Sequence, residues 1–172
     1  PGTGTSEYLF FPGCQLSGSA PEQVEQVYGY LRDRLSGGVG LALGCCGAPA
    51  DWAGRQDLGH EVWTRLLAQF REMGSPRLIL ACSTCYQVFR AHLPEIELVS
   101  LWELFASIGL PESSRPAACQ RLALHDPCTT RHEPSIQDSV RAILGRLGYE
   151  VEELPLSRER TECCSYGGLM WF

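Results

Sequence analysis

Nine cysteines stand in a chain of 172 residues, and their spacing offers the first chemistry. Five fall in the first half: Cys14, the adjacent pair Cys45-Cys46, and Cys82 with Cys85 in a C-x-x-C. Cys128, Cys163 and Cys164 repeat the opening of that pattern, and Cys119 has no counterpart. Thiolates bind soft metals, ligate iron-sulfur clusters and exchange disulfides. A secreted disulfide framework is usually shorter, loop-rich and even in its cysteine count. The odd number and the helical periodicity of this chain favour an intracellular metal or redox role instead.

The elements that must position these thiols are legible from hydrophobic pattern and punctuation. Apolar runs predict strands at 8–11, 39–43, 77–81 and 98–101. A helix opens at Pro21, with Val24, Val27, Tyr28, Leu31 and Leu35 on one face, and ends at Gly37-Gly38. Further helices are expected over 57–73, with Leu58, Val62, Leu66, Leu67 and Phe70 inward, and over 84–92 and 102–108. Strands alternating with helices imply parallel βαβ units with right-handed crossovers. The expected fold is therefore α/β, an open parallel sheet with helices on both faces, Rossmann-like or flavodoxin-like. In such a sheet Cys14, Cys45-Cys46 and Cys82-Cys85 each follow a strand, so the fold carries five thiols to the edge where ligands bind.

Residues 111–120, rich in Pro and Ser, read as a linker between a complete copy at 1–110 and a restarted pattern at 121–172. The restart has a strand at 121–125, a helix over 134–147 and a strand at 149–154. Pro21 corresponds to Pro134 at an offset of 113 and Cys45-Cys46 to Cys163-Cys164 at 118, a drift that loop insertions explain. The second copy stops where the first would enter its helix at 57–73. The chain is accordingly expected to be cut from a longer protein, its incomplete copy leaning on the first or pairing with a second chain as a dimer.

Composition narrows the partners. Net charge is −6, with 14 basic residues that are all Arg and no basic run, so nucleic acid is not an expected partner. No apolar stretch approaches the ~20 residues of a membrane span, and the opening residues do not read as a secretory leader. The expected location is cytoplasmic, with any membrane association made through a partner.

Five thiols exceed the four ligands of a structural zinc or of a regular cubane cluster, and ferredoxin spacings are absent. They favour a larger or irregular iron-sulfur cluster. Gly44 and Gly47, flanking the pair, would let the backbone approach such a cluster and aim N–H groups at it. Three alternatives stay open: zinc on four of the five, a metal-free Cys82/Cys85 dithiol oxidoreductase, and buried free thiols. A vicinal Cys45-Cys46 disulfide would be strained.

The pattern Cys14-x30-Cys45-Cys46-Gly47-x34-Cys82-x-x-Cys85 resembles the CCG motif of the cysteine-rich domain found in heterodisulfide reductase. Glycolate oxidase iron-sulfur subunits and lactate-utilisation proteins carry similar domains. The resemblance implies that the five cysteines ligate a noncubane [4Fe-4S] cluster, used to cleave or form disulfides or to pass electrons. It implies an iron-sulfur redox module of a larger oxidoreductase, heterodisulfide reductase-like or a flavin-linked dehydrogenase complex. Its partners would be a flavin-containing or ferredoxin-type subunit and a disulfide or quinone acceptor. Cys128, Cys163 and Cys164 would form an incomplete second site, which holds zinc in some relatives; Ser165 departs from the motif's glycine. Exposed clusters decay in air, so an aerobic sample would lack metal. The runner-up reading is a zinc-binding structural or assembly module without redox turnover.

Other residues carry plainer readings. His125 and Asp126 either shuttle protons or form a turn, and Arg131, Arg158 and Arg160 either offset thiolate charge, bind an anion or face solvent. Trp52, Trp63 and Trp102 read as core aromatics rather than electron relays.

Overall fold

The computed structural model describes residues 6–111 and 120–165. Cys119 and the apolar ending Met170-Trp171-Phe172 lie outside the described residues. The chain forms two compact units, one within Pro1–Val99 and one within Ser100–Gly167.

In the first unit the elements run β1 (Tyr8–Phe11), α1 (Cys14–Ser19), α2 (Pro21–Arg34), β2 (Val39–Leu41), α3 (Ala48–Trp52), α4 (Gln56–Glu72), β3 (Arg77–Leu80), α5 (Ser83–His92) and β4 (Leu98–Ser100). The strands form one parallel sheet in the order β2-β1-β3-β4, with Tyr8 opposite both Val39 and Arg77. Leu9, Phe10 and Phe11 of β1 and Leu78, Ile79 and Leu80 of β3 are all buried. Unbroken apolar runs of this kind belong to strands covered on both faces. The core continues through Trp63, Phe70, Val88 and Phe89, with the Phe89 ring edge-on to Phe11 at 5.2 Å, and it includes the thiols Cys46 and Cys85.

Two expectations are corrected. Leu58 points outward at 40% exposure, and the buried face of α4 is made by Gly59, Trp63 and Phe70. The Trp63 ring lies over the helix backbone at Gly59, where a Cβ would come within 2.9 Å of it, so the indole takes the space a Leu58 face would need. Trp52, read as a core aromatic, is 44% exposed on the short α3. Strand β2 is also shorter than the apolar run 39–43. After Leu41 a last ladder bond, from the Ala42 amide to the Phe10 carbonyl at 2.9 Å, releases the chain toward the cysteine pair.

The second unit contains α6 (Leu101–Ile108), β5 (Gln120–Leu124), α7 (Pro134–Arg146) and β6 (Tyr149–Glu153). β5 and β6 pair in parallel from Gln120↔Tyr149 to Leu124↔Glu153, with α7 as the crossover. Helix α6, inside the segment expected to close the first copy, belongs by its contacts to this unit, where Arg146 Nη1 donates to the Ala106 carbonyl at 2.6 Å. A buried ion pair braces the β5 end: Arg141 donates to both oxygens of Asp126 at 2.9 and 2.8 Å and also to Glu153. The Arg158 amide adds a third hydrogen bond to Asp126 at 2.8 Å. Asp126 is thus a structural acid, 3% exposed.

Candidate metal centre

Strand order reverses between β1 and β3, because the chain leaves β1 to one side for β2 and returns to the other for β3. Open α/β sheets bind ligands at the carboxyl ends of strands beside such a reversal. Cys14 follows β1 and opens α1; Cys45-Cys46 follow β2; Cys82 follows β3 and caps α5, whose first turn holds Cys85. All five predicted cysteines of the first copy therefore gather at this edge, and all are free thiols.

Their mutual contacts divide them into two linked groups. Cys14 is within hydrogen-bonding reach of Cys45, and both are exposed. Cys85 bridges Cys46 and Cys82; Cys46 and Cys85 are buried, Cys82 half-buried. The Cys85 contact is the main cause that lowers Cys82 to about 6, against its burial, with the amides of Cys85 and Thr84 at the α5 N-terminus adding to it. The same contact lowers Cys46, aided by the Ala48 amide, and raises Cys85 itself. Burial raises Cys45, opposed by the Gly47 amide. Among the described residues no three or more His, Cys, Asp or Glu side chains close around a point that could hold a single metal ion.

The two glycines named from sequence differ. Gly47 has φ +89°, a left-handed conformation that suits glycine, and directs its amide at Cys45; a Cβ there would lie 2.9 Å from Trp63 Nε1. Gly44 has no left-handed φ, and a Cβ would meet only Phe11 Cε2, at 3.6 Å. Two participants escaped the sequence reading. Gly13, φ +87°, packs so closely that a Cβ would sit 3.3 Å from Cys82 Cβ and from Cys85 Sγ. Its signal was its place directly before Cys14 at a strand end. Trp63 Nε1 donates to the Cys46 carbonyl at 3.0 Å, while its ring stacks on His92 at 3.4 Å. No local pattern announces a bond spanning 17 residues.

The second unit repeats part of this arrangement. Cys128 follows β5 and starts a short 3-10 turn, Cys128–Thr130. Cys163 approaches it, and burial together with the Cys163 charge raises Cys128. Thr161, buried, ties the two segments by donating from Oγ1 to the Asp126 carbonyl at 2.6 Å. Ser165, in the glycine position of the motif, keeps the left-handed turn with φ +61°, and its amide donates to Cys163 Sγ at 3.3 Å. The geometry of Gly47 over Cys45 thus recurs without the glycine. Cys128, Cys163 and Cys164 are also free thiols, so no disulfide closes this group.

A parallel α/β sheet that presents free thiols from three strand ends at its ligand-binding edge defines a cysteine-rich domain of the metal or redox kind. The family model described as cysteine-rich domain, CCG, matches residues 8–90 and 122–171, and the chain belongs to that family. The EtfAB:quinone oxidoreductase of Syntrophomonas wolfei subsp. wolfei is 26% identical over 180 residues, covering 96% of this chain. The chain spans only 25% of that relative's length. No solved structure matches. Family and relative together support an iron-sulfur redox module.

Proposed function

We propose that this chain is an electron-transferring module of a larger oxidoreductase and holds a noncubane [4Fe-4S] cluster on Cys14, Cys45, Cys46, Cys82 and Cys85. The observation that carries the reading is the convergence of these five thiols from three strand ends beside the strand-order reversal. The donor set fits: soft sulfur ligands suit iron-sulfur clusters, and amides of Gly47, Ala48, Thr84 and Cys85 already favour the thiolate form of their neighbours. A bound cluster would supply one-electron chemistry, while the protein supplies ligation, orientation and electrostatics. Cys46 and Cys85 anchor the site in the core, and Cys14 and Cys45 face the side from which a partner approaches.

The name of the relative sets EtfAB on one side and quinone on the other. Carried over, electrons arrive from a flavoprotein partner and leave toward a quinone-reducing one, on the cytoplasmic side of the membrane. No helix among the described residues is long and apolar enough to cross a membrane; in this reading a partner reaches the quinone. In this reading Cys128, Cys163 and Cys164 belong to a second, incomplete thiol group. Anaerobic reconstitution with iron and sulfide tests the proposal. Iron and acid-labile sulfide near four per chain, lost in Cys46→Ser and Cys85→Ser and kept in Cys119→Ser, is the expected result. Stoichiometric zinc with no iron after anaerobic purification overturns it.

A further inference from the structure

Away from the first thiol group, the second unit holds a cavity of about 560 Å³ between the Arg131–Gln137 segment and the Glu153–Arg160 segment. Three arginines, Arg131, Arg158 and Arg160, line it together with His132 and two acidic residues, Glu153 and Glu159. Glu153 is already engaged, since Arg141 donates to its two oxygens at 2.5 and 2.7 Å and Arg158 Nε lies at 4.0 Å. Arg158 is held by Asp138 at 2.6 Å. Arg131 and Arg160 form no ion pair with the described residues, and Glu159 is the one lining acid left to oppose them.

Arg131 lines the cavity with its guanidinium fixed by one bond, Nη2 donating to the Thr161 carbonyl at 2.6 Å. The α7 N-terminus adds to the field. Pro134 lines the cavity at the first position of α7, whose first turn carries no acidic residue, with Glu133 at the N-cap making no side-chain capping bond. Helix N-termini favour anions. The volume lies in the range of small-molecule sites, roughly 300–1,000 Å³, and exceeds what a bare ion needs. Pro134 and Leu154 give it an apolar wall.

We propose that this cavity binds a small organic anion through a carboxylate or phosphate group, held by Arg131 and Arg160 at the α7 N-terminus, with its apolar part on Pro134 and Leu154. The site lies within the second unit and requires no cluster, so it stands or falls separately from the redox reading.

Calorimetric titration of the whole 172-residue chain at fixed ionic strength tests it, with phenyl phosphate and phthalate as probes. The two carry the same ring and different anionic heads, so the tighter binder assigns the head group. One saturable site is expected, weakened about ten-fold or more in Arg131→Gln and in Arg160→Gln and unchanged in Arg121→Gln, whose guanidinium lies on β5 outside the cavity. Arg160 is exposed, so its variant decides the question if Arg131→Gln alters the circular dichroism of the fold. Absence of saturable binding of both probes up to about 10 mM overturns the proposal, as does an affinity in Arg160→Gln equal to the parent's.

Discussion

Replacing Gly47 by alanine isolates the strain that the cysteine pair imposes on its own turn. Two costs arise from one methyl group. An L-residue at φ +89° pays ~1–2 kcal/mol for its left-handed backbone. The new Cβ would also stand 2.9 Å from Trp63 Nε1 and 3.4 Å from Val62 Cγ1, so the indole must move. Moving it weakens the 3.0 Å bond to the Cys46 carbonyl, worth about 1 kcal/mol, and adds an overpacking cost of ~1–3 kcal/mol. A loss of about 3–6 kcal/mol is expected, a large share of the ~5–15 kcal/mol that stabilises a typical domain. Gly44→Ala is the matched control, with no left-handed φ and one ordinary contact at 3.6 Å, and should change stability by under about 1 kcal/mol. Pulsed alkylation across a urea series, read by mass spectrometry at the buried Cys46 and Cys85, reports on this unit alone. Equal midpoints for the two variants would refute the argument that turn and indole together demand a glycine.

Four further outcomes follow from the same geometry. Ser165→Gly should stabilise the second unit by about 1 kcal/mol by relieving a left-handed φ of +61°, measured by hydrogen exchange at α7. Asp126→Asn leaves Arg141 with Glu153 as its remaining carboxylate and should cost ~1–3 kcal/mol by the same measurement. Arg141, then the Arg158 amide, holds the Asp126 carboxyl below the usual range, so its stabilisation is complete above about pH 4 and drains as pH falls through the lower folded value. That acid-side loss, followed by hydrogen exchange, should vanish in Asp126→Asn. Trp63→Phe removes the donor to the Cys46 carbonyl and should lower stability by about 1–3 kcal/mol in chemical denaturation.

Most of what positions the thiols could be read from the chain. Apolar runs at Tyr8–Phe11 and at 78–80, after Arg77, marked the central strands, because strands covered on both faces admit no polar alternation. Pro21 and Pro134 marked helix starts through their fixed φ. The short helices α1 and α3 were not legible, since six and five residues are too few for a 3.6-residue period to show. Leu58 misled because periodicity weighs a leucine above a glycine, whereas a large indole needs the glycine beneath it. Of the candidate site, the cysteines and Gly47 carried their own signals. The roles of Trp63, Asp126 and Arg131 depend on partners 17, 15 and 30 residues away and arise only from the folded chain.

The five thiols are drawn from Cys14 to Cys85, across three strands and their crossovers. Closing so long a stretch of chain costs entropy that local contacts do not return, and parallel strand pairing is slow for that reason. A short ferredoxin-like loop can wrap its metal as the chain emerges; here the thiols are not neighbours until β1, β2 and β3 have paired. If the proposed cluster is held there, assembly would have an order: the scaffold would fold first, with Cys46 and Cys85 buried and Cys14 and Cys45 exposed, and the cluster would enter afterwards from the exposed side. A delivery factor for this domain would have to recognise a finished surface rather than a nascent peptide.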